Sequence, residues 1–108
     1  MKLLDTQEIF EEMWFQGTHQ KEAVDQWIVY FTASWCKPCQ ALDCAKLTQI
    51  AEEKGIPIFK CDYTRNEYTP GFCGVNAFPT FMCFSQKKVI SKFQSNQTAD
   101  VAKWIDQL

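Results

Sequence analysis

Two cysteines separated by two residues, Cys36 and Cys39, are the side chains in this sequence best suited to chemistry. At the start of a helix, thiols at this spacing can close into a disulfide with little rearrangement. The unpaired N–H groups and the dipole of a helix N-terminus favour the thiolate form of the first cysteine. Because a thiolate attacks disulfides, the first thiol could form a mixed disulfide with a partner and the second could release it. The spacing therefore indicates thiol–disulfide exchange without a cofactor.

The segments on either side of the cysteine pair have the patterns of a strand and a helix. An apolar run rich in β-branched and aromatic residues predicts a buried strand over 27–33. Pro38 suits the first turn of a helix, where its missing N–H would have had no partner. A helical pattern follows from Gln40 and stops at Gly55. The pair is therefore predicted to lie where a strand gives way to a helix.

Length and composition limit the possible functions. A chain of 108 residues with 46% hydrophobic content predicts a single domain, 1–108, with a real core. The net charge of -2 and the absence of a basic patch argue against nucleic acid as a partner. No apolar stretch approaches the roughly 20 residues needed to span a membrane. Asp5 interrupts the N-terminus before a secretory signal could form, so we expect a cytoplasmic protein.

Four further cysteines raise the question of a second redox or metal site. Cys61 and Cys83 lie in apolar, strand-like runs and are expected to be small core residues. Cys44 falls inside the predicted second helix and should be semi-buried. Cys73 follows Phe72 in a turn-rich segment and is the extra thiol expected to be exposed. It is therefore a candidate secondary redox residue, able to link two copies on oxidation, or else an inert, partly buried thiol.

The rest of the chain predicts alternating strands and helices. A short strand at Leu3-Leu4 precedes a helix that a capping box at Asp5–Glu8 would open and Gly17 would end. The later predicted elements are strands at 56–62, 78–84 and 89–93, a short helix near 69–72, and a last helix capped by Ser95-Asn96. The order β-α-β-α-β-α-β-β-α predicts an α/β fold. Its mixed central sheet would have about five strands, with helices on both faces.

At this level of detail the sequence resembles the thioredoxin family over essentially its whole length. Two motifs carry the resemblance, Phe31-Thr-Ala-Ser-Trp-Cys-Lys-Pro-Cys39 and Phe78-Pro79-Thr80. The resemblance implies a thioredoxin fold and a monomeric protein-disulfide reductase without cofactor or metal. Its partners would be disulfide-containing proteins and an electron donor of the thioredoxin-reductase type. It also implies that Cys36 is the attacking thiol and Cys39 the resolving thiol.

The same resemblance implies a substrate-binding surface around the cysteines. Trp35 would flank this surface, and Lys37 and Pro38 would belong to it. Pro79 would be a cis-proline that places the backbone of Phe78 where an extended substrate can pair with it. An ordinary trans proline at the start of a strand is the alternative. Lys37 replaces the usual glycine, and its charge should favour the neighbouring thiolate.

Three further positions depart from the family pattern. Tyr30 stands where the family has a buried aspartate, and at neutral pH a tyrosine cannot take a proton as a carboxylate could. Lys60, which aligns with the usual partner of that aspartate, is retained. Cys44 replaces a helix-kinking proline, which predicts a straighter second helix. Ser95 replaces a glycine that would let the substrate backbone approach.

Other functions fit parts of the pattern. An oxidase or isomerase of this family would favour histidine between the cysteines, and a glutaredoxin would have a tyrosine there. A zinc or iron–sulfur protein would need two more thiols beside Cys36 and Cys39. An interaction module or specialised redox adaptor, with little general reductase activity, is the main alternative. The intact cysteine pair and Pro79 favour the reductase.

Overall fold

A five-stranded mixed sheet forms the centre of the molecule, in a computed structural model that describes all 108 residues. The strands are β1 (Lys2–Leu3), β2 (Thr18–His19), β3 (Glu22–Ala23), β4 (Gln26–Thr32), β5 (Ile58–Asp62), β6 (Thr80–Ser85) and β7 (Lys88–Phe93). The helices are α1 (Gln7–Glu11), α2 (Cys44–Glu53), α3 (Tyr68–Phe72) and α4 (Thr98–Asp106). The sheet order is β1-β5-β4-β6-β7, while β2 and β3 form a separate hairpin. None of the helices is both long enough and apolar enough to cross a membrane.

The pairing of β4 determines which parts of the chain meet beside the cysteines. It runs parallel to β5 and antiparallel to β6. Thr32, at the end of β4, is therefore in register with Asp62 at the end of β5. Phe31 pairs with Thr80, the residue after Pro79, at the start of β6. Thr32 and Pro79 are 47 positions apart in the sequence. The two motifs to which they belong thus come together at one edge of the sheet.

Alternate residues of the central strands build two apolar clusters, one on each face of the sheet. On the first, which we call the α2–α4 face, Ile28 and Tyr30 of β4 pack with α2 and α4. On the second, the α1 face, Trp27, Val29 and Phe31 pack with α1 and the loop after α3. This period of two is that of a strand buried on both sides. The predicted mixed sheet with helices on both faces is confirmed.

The helix predicted to continue from Gln40 is interrupted, so this prediction was wrong. A short 3-10 helix covers Pro38–Ala41, and Leu42 then adopts an extended conformation with φ -81° and ψ 136°. The α-helix begins only at Cys44. The straighter helix expected from the loss of proline at this position is therefore not formed either.

The interruption follows from Asp43, which caps α2. Its carboxylate accepts a hydrogen bond from the backbone N–H of Lys46 at 3.0 Å. Its own N–H donates to the hydroxyl of Thr98 in α4, also at 3.0 Å. Aspartate favours the N-cap over a helix interior because its side chain competes for backbone groups. A capping aspartate thus breaks the helix at a point where the sequence has neither proline nor glycine.

Two predicted helix caps are displaced by one or two residues. Thr6 rather than Asp5 caps α1, because its hydroxyl accepts a hydrogen bond from the N–H of Ile9 at 3.4 Å. The helix then widens into a π-helix over Glu12–Gln16 and ends at Gly17, as predicted, with φ 66°. Before α4, the hydroxyl of Ser95 accepts from the N–H of Gln97 at 3.0 Å. Ser95 therefore orders the approach to the helix, which begins at Thr98.

The hairpin of β2 and β3 was not predicted. Its turn residues, Gln20 and Lys21, have φ values of 51° and 68° although neither is glycine. The sequence there is polar and each strand has only two residues, so no alternation could reveal it. The half-buried His19 ring lies edge-on to Phe59, with 5.0 Å between ring centroids. The hairpin thereby covers one edge of the α1 face.

Candidate active site

Cys36 and Cys39 form a disulfide at the edge of the sheet where β4 ends. Their Cα atoms are 5.4 Å apart, within the range that a disulfide requires. The backbone N–H of Cys39 donates a hydrogen bond to the sulfur of Cys36 at 3.2 Å. Such a donor stabilises negative charge on the sulfur once the disulfide is reduced. Only 4% of Cys36 and 6% of Cys39 is exposed, so the surrounding protein controls access to both.

A groove of about 460 Å³ gives solvent its access to Cys36. Its lining residues are Trp35, Cys36, Lys37, Pro38, Asn76, Ala77 and Phe78. The indole of Trp35 is 64% exposed and meets the Phe78 ring edge-on at 5.7 Å. The Phe78–Pro79 peptide bond is cis, as the resemblance implies, and Pro79 is buried. Trp35, Lys37, Pro38 and Phe78, four of the residues predicted to bind substrate, therefore line the same groove as Cys36, the predicted attacking cysteine. Pro79, the fifth, is not among the lining residues.

Tyr63 also borders this surface, although sequence reasoning did not select it. It follows β5 directly, and its ring lies 5.7 Å from that of Phe78. Tyr63, Trp35 and Phe78 thus form an aromatic rim beside the disulfide. The position of Tyr63 could have been predicted from the strand order, because the carboxyl ends of neighbouring parallel strands lie at the same edge of a sheet.

A hydrogen-bond network fixes the loop that carries Trp35. The hydroxyl of Ser34 donates to the carboxylate of Asp62 at 3.0 Å and lies 2.8 Å from the hydroxyl of Thr64. Thr64 also donates to Asp62 from its N–H at 3.0 Å and from its hydroxyl at 2.6 Å. Burial favours the neutral acid, but these hydrogen bonds and the charge of Lys60 outweigh it and lower the pKa of Asp62. The network therefore contains a stable carboxylate at neutral pH.

A second cavity, of about 260 Å³, lies on the inner side of the disulfide. Its lining residues are Tyr30, Thr32, Ala33, Ser34, Cys36, Cys39, Gln40, Leu42, Cys44, Lys60 and Asp62. The Tyr30 hydroxyl donates to the backbone carbonyl of Cys39 at 3.5 Å. Burial raises the pKa of Tyr30 to about 12, so this hydroxyl keeps its proton at neutral pH. We refer to this space as the inner cavity.

Cys44 lines the inner cavity as the first residue of α2 and is half-buried, as predicted. Burial raises the pKa of its thiol, and the charge of Lys60 offsets only part of this effect. The thiol is therefore protonated at neutral pH. Three of the six cysteines consequently surround one cavity, but two of them form the disulfide.

The remaining three thiols lie in apolar surroundings. Cys61 and Cys83 are completely buried in β5 and β6, which confirms that they are core residues. Burial raises the pKa of Cys61 to about 12 and that of Cys83 to about 11. The structure brings no group of three or more histidine, cysteine, aspartate or glutamate side chains close enough to hold a metal ion.

Cys73 is half-buried, so the prediction that it is exposed was wrong. Its N–H donates to the carbonyl of Thr69 at 3.0 Å, and its side chain packs against the α1-face cluster. The adjacent Phe72 ring lies 5.4 Å from Phe10 and holds α3 against α1. Burial raises the pKa of Cys73 to about 12, although the charge of Lys92 opposes this. A protonated, half-buried thiol is poorly suited to the predicted secondary redox role or to a disulfide-linked dimer.

Comparisons with known proteins agree with the predicted family and fold. The family model for Thioredoxin matches residues 6–107. A thioredoxin of Geodia cydonium is 35% identical over 75 residues, which cover 68% of this chain and 70% of the relative. A thioredoxin of Rickettsia typhi is 30% identical over 83 residues, covering 74% and 78%.

Solved structures show the same architecture. The thioredoxin of Fasciola hepatica superposes with a TM-score of 0.80 at 24% identity, covering 99% of this chain and 98% of that one. Oxidised mitochondrial thioredoxin 3 of Saccharomyces cerevisiae has a TM-score of 0.80 at 24% identity, covering 100% and 95%. With the family model spanning nearly the whole sequence, this chain belongs to the thioredoxin family and has the thioredoxin fold.

Proposed function

We propose that this protein reduces disulfide bonds in other proteins, with Cys36 as the attacking thiol and Cys39 as the resolving thiol. The thioredoxin family supports thiol–disulfide oxidoreductase chemistry in general. The observation that carries the specific assignment is the 3.2 Å hydrogen bond from the Cys39 N–H to the Cys36 sulfur. Of the two sulfurs, that of Cys36 thus has a backbone donor for its thiolate, and Cys36 lines the outer groove.

The reaction proceeds in two exchanges. The Cys36 thiolate attacks one sulfur of the target disulfide, and the other sulfur leaves as a thiolate that takes a proton from water. Cys39 then loses its proton to water and attacks the sulfur of Cys36. The second target thiolate leaves, the Cys36–Cys39 disulfide forms, and two electrons have passed to the target. A dithiol donor or a reductase of the thioredoxin-reductase class returns the protein to its reduced state.

The outer groove suits an extended segment of a target protein. The aromatic rings of Trp35 and Phe78, which meet edge-on, offer apolar contact in the groove that Cys36 lines. By the family resemblance, the backbone of Phe78, before the cis bond, would pair with the segment as a strand does. Lys37 adds a cation at the same groove, and its influence on the Cys36 thiolate remains a prediction.

A reducing compartment, such as the cytoplasm, fits this chemistry and is part of the proposal. Four cysteines remain free, and three of them have pKa values raised to about 11 or 12 by burial. Free thiols outside an exchange site are typical of proteins that reside where disulfides are not maintained.

A redox adaptor with little general activity is the second candidate. Tyr30 and Cys44 favour it, because both line the inner cavity as protonated groups and neither can accept a proton from Cys39 at neutral pH. Such a protein would keep a redox-active pair but would reduce general substrates slowly. The two candidates therefore differ in turnover on an unrelated protein disulfide.

The test is turnover of a disulfide-bonded model protein with dithiothreitol as the electron donor. We expect catalysis by the unmodified protein and a loss of more than about 10³-fold in Cys36→Ser, as when an enzyme loses its nucleophile. Cys39→Ser should accumulate a mixed disulfide through Cys36, whereas Cys73→Ser, the matched control, should keep its activity within about twofold. Equal trapping by the Cys36 and Cys39 variants would contradict the roles assigned. A redox-active pair without turnover would favour the adaptor.

A further inference from the structure

We propose that Thr98 is a positioning residue for the resolving step, because its hydroxyl ties the chain just after Cys39 to α4. The proposal rests on the roles assigned above to Cys36 and Cys39. Thr98 lies in a different helix from the cysteines and acts through the backbone of Asp43. We call the hydrogen bond from the Asp43 N–H to the Thr98 hydroxyl the near tether.

The 3-10 helix over Pro38–Ala41, which we call the cysteine turn, is not a continuous part of α2. Leu42 is extended after the turn, and α2 begins only at Cys44. No helical hydrogen bond spans Leu42 and Asp43. Because α2 does not extend into the cysteine turn, the position of Cys39 depends on the contacts made on either side of the break.

The hydrogen bonds of the cysteine turn itself restrain it weakly. The Leu42 N–H donates to the Cys39 carbonyl at 3.2 Å. The Tyr30 hydroxyl donates to the same carbonyl at 3.5 Å, which is long for a hydrogen bond between two oxygens. The Cys39 N–H donates to the Cys36 sulfur, so this bond forms only while the two cysteines are close. A restraint from outside the turn therefore has room to matter.

The near tether supplies such a restraint from a well-anchored helix. The Asp43 N–H donates to the Thr98 hydroxyl at 3.0 Å, four residues after Cys39. Thr98 is the first residue of α4, and the apolar side of that helix is buried on the α2–α4 face. The buried side of α4 thus holds Thr98 in place, and Thr98 holds the chain that leads out of the cysteine turn.

A second hydrogen bond, the far tether, joins the same two helices at their other ends. The Lys54 ammonium, just after α2, donates to the carbonyl of Asp106, the last residue of α4, at 2.6 Å. Since α2 has ten residues, its two ends lie roughly 15 Å apart. Both tethers are exposed to solvent, so we expect similar contributions to stability. Only the near tether adjoins the cysteine turn.

The near tether should favour closure of the disulfide between Cys36 and Cys39. Once Cys36 is joined to a target, the Cys39 thiol loses its proton to water and attacks the Cys36 sulfur, and the target leaves as a thiolate. A turn that is already held in place loses less conformational entropy in this step, so its thiol has a higher effective concentration. Removing the tether should slow resolution and make the disulfide easier to reduce.

Stopped-flow mixing of the reduced protein with excess dithiobis(nitrobenzoate) separates the two exchanges. Attack by Cys36 releases the first thionitrobenzoate anion, and resolution by Cys39 releases the second. In Thr98→Val, which keeps the branched shape but removes the acceptor, we expect the second phase to slow by about three- to fivefold, as for the loss of one hydrogen bond. The equilibrium constant for oxidation of the pair, measured against dithiothreitol, should fall by the same factor. The first phase should stay within about 1.5-fold, and Thr98→Ser should restore both quantities.

Lys54→Met is the matched control, because it removes the far tether between the same helices. It should lower the thermal midpoint by about 2–5 °C, as Thr98→Val does, and leave both phases unchanged. Faster amide exchange at Asp43 in Thr98→Val confirms that the near tether is lost.

Equal slowing in Lys54→Met, no rescue by serine, or an unchanged second phase and equilibrium in Thr98→Val would overturn the proposal. A slowed second phase in a protein that does not turn over model substrates would uphold the role of Thr98 and contradict only the proposed reductase activity.

Discussion

The two faces of the sheet are packed by the same strands but differ in what they enclose. Aromatic rings pack closely on the α1 face. The rings of Trp27 and Phe84 are stacked with 4.4 Å between their centroids, and the Phe10 ring lies edge-on to both. The α2–α4 face is interrupted by the inner cavity, which contains a tyrosine hydroxyl, a lysine and a carboxylate next to the disulfide. The α2–α4 face therefore combines an apolar core of its own with polar groups beside the disulfide.

The cysteines show that local surroundings matter more than the face on which a thiol lies, because burial also raises the pKa of Cys83, on the α2–α4 face, to about 11. On the α1 face, burial among apolar side chains raises the pKa of both Cys61 and Cys73 to about 12. At the edge of the α2–α4 face, a backbone N–H points at the sulfur of Cys36 and a groove leads to it. We therefore expect hydrogen-bond donors and access, and not cysteine content alone, to decide which thiol is reactive.

The largest expected effect is on stability and comes from opening the α1 face. Phe84→Ala removes a ring that is 1% exposed and contacts Trp27, Phe10 and Trp14. We expect the free energy of unfolding to fall by about 3–5 kcal/mol, the usual cost of such a cavity. Chemical denaturation provides the measurement, and the rates of both exchanges at low temperature should stay within about twofold of the original.

The matched control is Phe15→Ala, because the Phe15 side chain is 59% exposed and lies 5.8 Å from the Lys87 ammonium. Its effect on unfolding should stay below about 1 kcal/mol. A large loss of exchange rate in folded Phe84→Ala would show that the two faces are coupled, and the comparison between them would then fail.

A smaller effect is expected at the polar end of the α2–α4 face. Asp62→Asn removes the charge that accepts hydrogen bonds from Ser34 and Thr64, and should cost about 1 kcal/mol at neutral pH. Because the pKa of Asp62 is lowered in the folded state, its contribution is full above its ordinary value of 3.8. It is lost as the pH falls through the lowered value.

The stability difference between the Asp62→Asn variant and the original should therefore shrink below about pH 4. Denaturation midpoints over a pH series measure this difference, with Asp25→Asn, at an exposed carboxylate, as the matched control. A difference that stays constant into acid would mean that the carboxylate is not stabilised by this network.

Much of this arrangement could be predicted from the sequence, because strong local patterns coincide with it. The buried run before Cys36 fixed β4, and the alternation on both sides of the sheet follows from it. The break at Leu42 could not be predicted, since it depends on a hydrogen bond between Asp43 and Thr98, 55 residues apart. The position of Cys73 was mispredicted for a similar reason, because contact between Phe72 and Phe10 is tertiary.

The candidate site likewise has one part that sequence motifs reveal and another that only the fold brings together. The cysteines, Trp35 and the cis bond before Pro79 belong to motifs that a single sequence displays. The inner cavity does not, because its charges come from β5 and its walls come from β4 and α2. Tyr63 belongs to the aromatic rim because the parallel register of β4 and β5 places the end of β5 beside Phe78. A single motif does not display this contact.

Alkylation of every cysteine in the fully reduced protein, followed by mass spectrometry over a pH series, tests the contrast between Cys36 and the buried thiols of both faces most directly. We expect Cys36 to react first, with a midpoint below the ordinary thiol value of about 8.5. The four cysteines that are free in the oxidised structure should react at least about tenfold more slowly at neutral pH, since burial keeps them protonated and covered. If any of those four reacts as fast as Cys36, or if the midpoint of Cys36 is not lowered, the account is contradicted.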